Sequence, residues 1–461
     1  MKGEKTFGVR VEGIHPYRVE KYGPVINIAS YGKSKGKKEG TLKMRYAKDM
    51  IEREYSNGRI PPLVEDLINI ALATFCGDKI ISRDIAIGSK RVEDRYFTRK
   101  IKFVVPVSNK EIWQEVQHKL EKTISFMTYD LFQYRFIKRE AEKIDVSTKE
   151  SGYDSVALFS GGLDSLAGSY FLSKKGYKPI FVSINHTNIG PILSNLYEVL
   201  PKESAREIRV KPENIGTEES TQFSRSFVYL TFATAIAMAH KNINRTFIPE
   251  NGIIARQIGL KEGRHGTRTA HPQFLVYFKD LVNSIFPEHK ISVENPFSYK
   301  TKKEIIGEIG DKTKIKNAIS CAHTRFLKKK SKEPEHCGMG IPCLIRTIAL
   351  VASNIPWVEE TLNIRFNPFL IDFSNPEIRF NVTNPDIPIK MWYRDGLVNV
   401  LDTIKMAREI KNQPYKEIVS TYPEFLDNRV YDLYKRFSQE VLKAVEYYEM
   451  KNSSLKMVYS G

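Results

Sequence analysis

Apolar and polar positions along the chain follow two different rhythms. In the first third, Pro61-Pro62 opens an apolar periodic stretch over 63–75, which predicts a helix with proline at its start. Residues 100–105 read as a strand, and 108–120 predict a helix capped by Ser108 or Asn109. From residue 155 the rhythm changes. Short apolar runs at 155–159, 179–184, 207–210 and 246–248 stand apart, with helix-period segments at 164–175 and 226–240 between them. Strand and helix alternating in this way predict βαβ units, hence a doubly wound parallel sheet with helices on both faces. Towards the end the pattern is mainly helical, at 397–411 and 428–450. Three units follow: an N-terminal α/β unit over 1–150, an α/β core over 151–350, and a mainly helical extension over 351–461. The polar stretch 147–152 is the expected linker.

With 461 residues, 41% hydrophobic and 27% charged, the chain is long enough to bury a sizeable core, and wholesale disorder is excluded. No run approaches the roughly 20 apolar residues of a spanning helix. Met1-Lys2-Gly3-Glu4-Lys5-Thr6 has no apolar stretch behind it, so no secretory signal is expected. Four cysteines are too few for a disulfide framework, and the expected setting is cytoplasmic.

The net charge of +18 raises the question of an anionic partner. By segment, residues 1–150 carry 30 basic and 21 acidic side chains (+9), 151–350 carry 28 and 18 (+10), and 351–461 carry 14 and 15 (−1). The excess therefore sits in the first two units. Its densest runs, Lys33/Lys35/Lys37/Lys38 and Lys328/Lys329/Lys330/Lys332, read most simply as solvated loops.

The most specific feature is Ser160-Gly161-Gly162-Leu163-Asp164-Ser165, placed between a predicted strand and a predicted helix. Paired glycines let backbone approach an anion closely, and the N–H groups of the turn and of the helix start then face phosphates. Ser160 and Ser165 add hydroxyl donors. A P-loop lysine is missing. Asp164 stands there instead, and a carboxylate at that place makes sense as a Mg²⁺ ligand or as a group ordering the loop. The plain alternative is an ordinary glycine-rich turn.

This hexapeptide after an apolar strand resembles the PP-loop ATP pyrophosphatases, which cleave ATP between its α- and β-phosphates and adenylate a substrate oxygen. Later landmarks narrow the resemblance: Ser224-Arg225-Ser226-Phe227, Glu294-Asn295-Pro296-Phe297, Thr301-Lys302-Lys303-Glu304, Cys321, and the block from His336-Cys337 through Gly340 and Cys343 to Arg346. Over about residues 153–350 they are similar in order to the QueC family of 7-cyano-7-deazaguanine synthases. The added N-terminal unit and helical tail resemble the QueC-like proteins of bacterial anti-phage defence, such as QatC and the type IV CBASS homologue.

The resemblance implies an adenine nucleotide alpha hydrolase-like fold, ATP and Mg²⁺ as cofactors, and a C–N ligase that forms AMP and pyrophosphate. Ser160, Gly161, Gly162, Leu163, Asp164 and Ser165 would hold the nucleotide, with Asp164, Ser165, Arg225 and Lys302 as the catalytic set. The substrate would be 7-carboxy-7-deazaguanine or a relative, converted to an amide, a nitrile or a modified partner protein encoded alongside. The family also holds a structural zinc on four cysteines. Here Gly340 occupies the third position of that pattern, so Cys321, Cys337 and Cys343 match and His336 or His323 is the candidate fourth ligand.

Other readings stay open for several residues. Arg225 and Lys302 are equally readable as surface charges. Ligands of open α/β sheets bind beyond the carboxyl ends of strands, which favours the segment holding Glu250, Asn251, Gly252, Arg256, Arg264, His265, Arg268 and His271. Glu250 and Asn251 suit the ring N–H groups of a purine-like base, while His265 and His271 read as hydrogen-bonded or solvated loop histidines. Cys76 ends an apolar helix and reads as core. Two functional rivals remain: a PP-loop tRNA thiolation enzyme with an N-terminal RNA-binding unit, and a non-catalytic nucleotide sensor.

Overall fold

A computed structural model of the chain describes residues 4–11, 25–31, 41–80, 99–142, 144, 148–185, 196–201, 203–213, 223–260, 266–321, 336–338, 340–355, 364, 367–374 and 391–458. The two lysine runs, His323, Arg264 and His265 lie outside these residues.

The first half contributes strands β1 (Glu4–Val11), β2 (Val25–Tyr31), β3 (Thr41–Tyr46), β4 (Lys100–Val107) and β5 (Leu131–Lys138). Its helices are α1 (Lys48–Glu52), α2 (Pro62–Ile80), α3 (Lys110–Glu115) and α4 (Gln117–Thr128). The core follows as β6 (Ser155–Leu158), α5 (Leu163–Lys174), β7 (Pro179–Asn185), β8 (Ala205–Glu213), α6 (Arg225–Ala237) and β9 (Arg245–Phe247). After them come α7 (Gly252–Arg256), α8 (Pro272–Ile285), β10 (Ser292–Glu294), α9 (Lys302–Glu308) and α10 (Ile341–Ala352). The C-terminal region is largely helical: α11 (Met391–Asn412), α12 (Tyr415–Thr421) and α13 (Asn428–Glu449).

Strands β6 to β10 form a five-stranded parallel sheet in the order β10-β9-β6-β7-β8. All four strands expected between 155 and 248 are present, and β10 adds a fifth. The chain runs outward from β6 to β8 on one side and returns to β9 on the other. The seam between β6 and β9 is therefore the point where strand order reverses. In open α/β sheets that point opens a crevice at the carboxyl ends of the strands.

The parallel sheet does not end at β8. Strand β8 pairs antiparallel with β3, with Lys43 opposite Glu213, and β2, β1, β4 and β5 continue the same sheet to ten strands. The expected linker is tied down as well: the Lys149 N–H donates to the Ala239 carbonyl at 2.7 Å.

Alternation along β6 assigns the two faces. Val156 and Leu158 join a core that includes Leu67, Ile70, Phe103 and Phe232, so the N-terminal helices share it with the parallel sheet. Ala157 and Phe159 join the other core, with Leu166, Ile348, Leu433 and Val441, where the C-terminal helices pack. The segment 108–120 departs from the single helix expected. Asn109 does cap it, accepting from the Ile112 N–H at 3.1 Å, but α3 ends at Glu115 and, after Val116, α4 starts anew. None of the described helices is long and apolar enough to cross a membrane.

Candidate functional site

The Gly-Gly loop leaves the end of β6 and enters α5, with Gly162 as its N-cap residue. Gly161 has φ +74°, a conformation in which a side chain would be strained. A Cβ on Gly162 would stand 3.0 Å from the Ile319 carbonyl oxygen. The loop is also held from that side, because the Ile319 N–H donates to the Gly161 carbonyl at 2.7 Å. Ser160 Oγ accepts from the Gly162 N–H at 3.3 Å, and Ser165 Oγ donates to the Gly162 carbonyl at 2.9 Å. The first-turn amides of α5 have no acceptor inside the helix.

Asp164, in that first turn, is buried and meets three other candidates. Its Oδ1 lies 2.9 Å from Lys302 Nζ, and its Oδ2 accepts from Asn251 Nδ2 at 2.7 Å and from the Asn251 N–H at 3.2 Å. Burial by itself would raise the Asp164 carboxyl. The Lys302 charge and the hydrogen bonds from Glu250, Asn251 and Lys302 outweigh it and hold the group down at about 2. Glu250 goes the other way: burial and the adjacent Asp164 push it well above the usual carboxylate range, against the pull of Lys302 and Arg225. The two neighbouring carboxyls are thus pushed in opposite directions, Asp164 down and Glu250 up.

These residues arrive from separate elements. Asp164 follows β6, Glu250 and Asn251 follow β9, and Lys302 opens α9 behind a full capping box. Thr301 Oγ1 accepts from the Glu304 N–H, and Glu304 Oε2 accepts from the Thr301 N–H at 2.8 Å. Asn251 spends both ends of its amide on the protein. Its Oδ1 caps α7 by accepting from the Ile254 N–H at 3.0 Å while its Nδ2 holds Asp164, so it orders Asp164.

Arg225 is the first residue of α6, with its guanidinium carbon 5.6 Å from the Tyr229 ring centroid. The start of that helix is anchored from the N-terminal half: Asp78 Oδ2 accepts from Ser224 Oγ at 2.7 Å and from the Ser224 N–H at 3.1 Å. Asp78 in turn shares the buried Arg99 with Asp130, at 2.6 and 2.5 Å. Nothing in the spacing of these three residues flags them.

His271 is a helix cap. Its Nδ1 accepts from the Gln273 N–H at 3.1 Å, and burial, with Arg268 and Arg256 nearby, lowers its pKa to about 4. Arg268 lies 4.2 and 4.0 Å over the rings of Phe126 and Tyr129. Cys76, the sulfur carrier that thiolation would need, is buried in α2, and burial pushes its thiol up.

Behind the loop, Cys321, Cys337 and Cys343 form a buried triad whose sulfurs lie within 4.8 Å of one another. Cys337 and Cys343 Sγ are 3.8 Å apart. That is the edge of a tetrahedron with metal–sulfur bonds of about 2.3 Å, the zinc–thiolate length. The triad fits a metal such as zinc. His336, the expected fourth ligand, stands beside this group and not within it. Its Nε2 accepts from the Ser320 N–H at 3.1 Å, and no atom of the ring joins the group of mutually close ligand atoms. His323 lies outside the described residues. Arg346, also fully buried, donates to the Ile315 carbonyl at 3.0 Å. Burial lowers its guanidinium to about 10, with Cys343 and Asp164 pulling it back up.

No protein-family model, curated protein or solved structure matches the chain.

Proposed function

We propose that the chain is a PP-loop ATP pyrophosphatase of the QueC-like kind, an ATP-dependent C–N ligase that adenylates a deazaguanine carboxylate and passes the acyl group to an amine in anti-phage defence. The observation that carries this reading is the meeting of Asp164, Lys302, Asn251 and Glu250 beside a Gly-Gly loop, where the order of the parallel strands reverses. The five-stranded parallel sheet supports the adenine nucleotide alpha hydrolase-like core that the resemblance implies.

In this reading the loop and the first amides of α5 bind the leaving phosphates, with Ser160 and Ser165 beside them. Lys302 and Arg225 offset the charge that builds as the bond between α-phosphorus and bridging oxygen breaks. Magnesium carried by the nucleotide supplies further charge neutralisation, and Asp164 and Glu250 are the adjacent carboxylates suited to hold it. A carboxylate oxygen of 7-carboxy-7-deazaguanine attacks the α-phosphorus and pyrophosphate leaves. An amine, from ammonia or from a partner protein, then attacks the acyl carbon; AMP departs with the bonding electron pair and the amine loses a proton. No side chain of the enzyme forms a covalent bond. The buried Cys76 speaks against sulfur transfer. Zinc on the cysteine triad would serve as a clamp.

The test is incubation with ATP, Mg²⁺ and 7-carboxy-7-deazaguanine, with ammonia or with proteins encoded alongside, read by mass spectrometry. Carboxylate-dependent AMP, pyrophosphate and a deazaguanine amide or adduct are expected. ATP binding without any AMP release would overturn the enzyme reading in favour of a nucleotide sensor.

A further inference from the structure

The C-terminal helix α13 lines the back of the site, and one of its contacts is of an unusual type. Glu440 is an acidic residue on the buried stripe of α13, 6% exposed, flanked by the fully buried Phe437, Val441 and Ala444. Across 139 residues of sequence it accepts a 2.5 Å hydrogen bond from Thr301 Oγ1. Thr301 is the capping residue of α9, and the next residue is Lys302, whose Nζ lies 2.9 Å from Asp164. Four residues before Glu440, Arg436 grips the same turn, with Nε 2.7 Å from Glu304 and Nη2 donating to the Tyr299 carbonyl at 2.8 Å. Two further contacts of α13 reach the segment that follows Asn251. Tyr434 Oη accepts from the Ile258 N–H at 2.8 Å, and Leu433 packs so closely on Gly252 that a Cβ there would stand 2.7 Å from it.

We propose that Glu440 is a positioning residue for the phosphate-loop site: through Thr301 it fixes the turn from which Lys302 reaches Asp164. An ammonium on a flexible four-carbon stem can meet a carboxylate from many backbone positions, and a pre-set stem lowers the entropy lost in each productive one. Here the stem starts at the first residue of a short helix. The helix start is held by its own capping box from one side and by α13 from the other. Removing Glu440 leaves the Thr301 hydroxyl without its buried acceptor and frees the turn. The charge of Glu440 is not what the contact uses. Burial raises its carboxyl to about 8 against the pull of the Thr301 hydrogen bond, Lys303 and Arg436, with Glu304 adding to the rise, which favours an uncharged acceptor. On this account the C-terminal extension is part of the site, which deepens the nucleotide-binding reading and rests on it for its functional consequence.

Lys302 can be followed without any assumption about the reaction. Lys303 is its exposed neighbour and serves as an internal reference on the same peptide. The full chain is acetylated with limiting acetic anhydride, and the Lys302/Lys303 labelling ratio is read by mass spectrometry. For Glu440→Ala the ratio is expected to rise about tenfold, and Glu440→Gln, which keeps an acceptor oxygen, should return it to the wild-type value. Thr301→Val should reproduce the rise and Thr301→Ser should not, which covers the case in which Glu440→Ala fails to fold. A wild-type ratio in either folded variant, Glu440→Ala or Thr301→Val, overturns the proposal. So does a Glu440→Gln variant as reactive as Glu440→Ala. Magnesium-ATP affinity should follow the same order, weakening about tenfold in Glu440→Ala and recovering in Glu440→Gln. If the wild-type chain binds no magnesium-ATP, the nucleotide reading fails while the labelling ratio still decides this one.

Discussion

Lys302 Nζ stands 2.9 Å from Asp164 Oδ1, with the two side chains 4% and 9% exposed. A pair so buried costs several kcal/mol to desolvate, and breaking it from one side leaves a charge without compensation. Lys302→Met should therefore destabilise the chain by about 3 kcal/mol in urea unfolding at pH 7. Adding Asp164→Asn to that variant should recover more than half of the loss, because both charges are then gone. Magnesium-ATP affinity should fall about a hundredfold in Lys302→Met, the loss of one charge-assisted contact of roughly 3 kcal/mol. Strictly additive costs in the double variant would show that the two side chains do not interact.

Part of this geometry was legible in the chain and part was not. The alternation of apolar runs with helix-period segments announces the parallel sheet, and the Gly-Gly turn announces where an anion is met. That Asp164 should meet Asn251 follows once β9 lies beside β6, and local pattern does not decide that adjacency. The joining of both halves into one sheet was hidden for a similar reason. The run at 207–210 announces β8 itself, but Thr41–Tyr46 and Ala205–Glu213 carry a basic or acidic residue at almost every second position, and nothing local in either says that the two strands pair. Strand β5 did carry a signal, since Leu131–Lys138 alternates exposed and buried residues along most of its length. Glu440 carried one too: an acidic residue in the apolar stripe of 428–450 is out of place unless something polar meets it. Adjacency of His336 to Cys337 in sequence does not by itself say which way its ring turns, and the ring stands outside the close sulfur group.

Gly161, at φ +74°, accepts on its carbonyl a hydrogen bond from the Ile319 N–H at 2.7 Å. Gly161→Ala carries a penalty of about 1 kcal/mol for the left-handed backbone, and relieving that strain would move the loop. A matched control exists at Gly176, which has φ +84° and open space around its Cβ, at the far end of α5. Both alanine variants should lower Tm by a similar amount, about 1 °C. Gly161→Ala should also weaken magnesium-ATP binding about tenfold, whereas Gly176→Ala should leave it unchanged. Equal binding by the two variants would remove the loop from the nucleotide site.

The cysteine triad and the Gly-Gly loop share one short segment, because Ile319 bonds to Gly161 and Cys321 lies two residues further on. A metal on the triad should therefore stiffen the loop. Metal analysis of the purified chain is expected to give about one zinc per chain. Cys343→Ser should abolish it and His336→Ala should retain it, since the ring of His336 stands outside the cluster. Chelation should speed hydrogen exchange across 315–321 and 160–165 and lower Tm by several degrees, as loss of a ligand bound only by the folded state does. Zinc lost equally from both variants would place His336 among the ligands.

His271 gives the chain a pH dependence whose sign can be worked out. Burial, then Arg268 and Arg256, lower its folded pKa to about 4, and its unprotonated Nδ1 accepts from the Gln273 N–H at 3.1 Å to cap α8. An unfolded histidine titrates near about 6.5. Below that value the unfolded chain takes up a proton that the folded chain refuses. This contribution to stability is complete above pH 7 and declines as pH falls through about 6.5 towards about 4. The loss over that window should amount to about 1–2 kcal/mol, smaller than full burial would give because the ring is partly exposed. His271→Asn keeps a good capping side chain and removes the titration. Its Tm should match the wild type near pH 7.5 and exceed it by about 1 °C at pH 5, measured by thermal unfolding across that range. Parallel pH profiles for the two proteins would show that His271 is not a buried neutral cap.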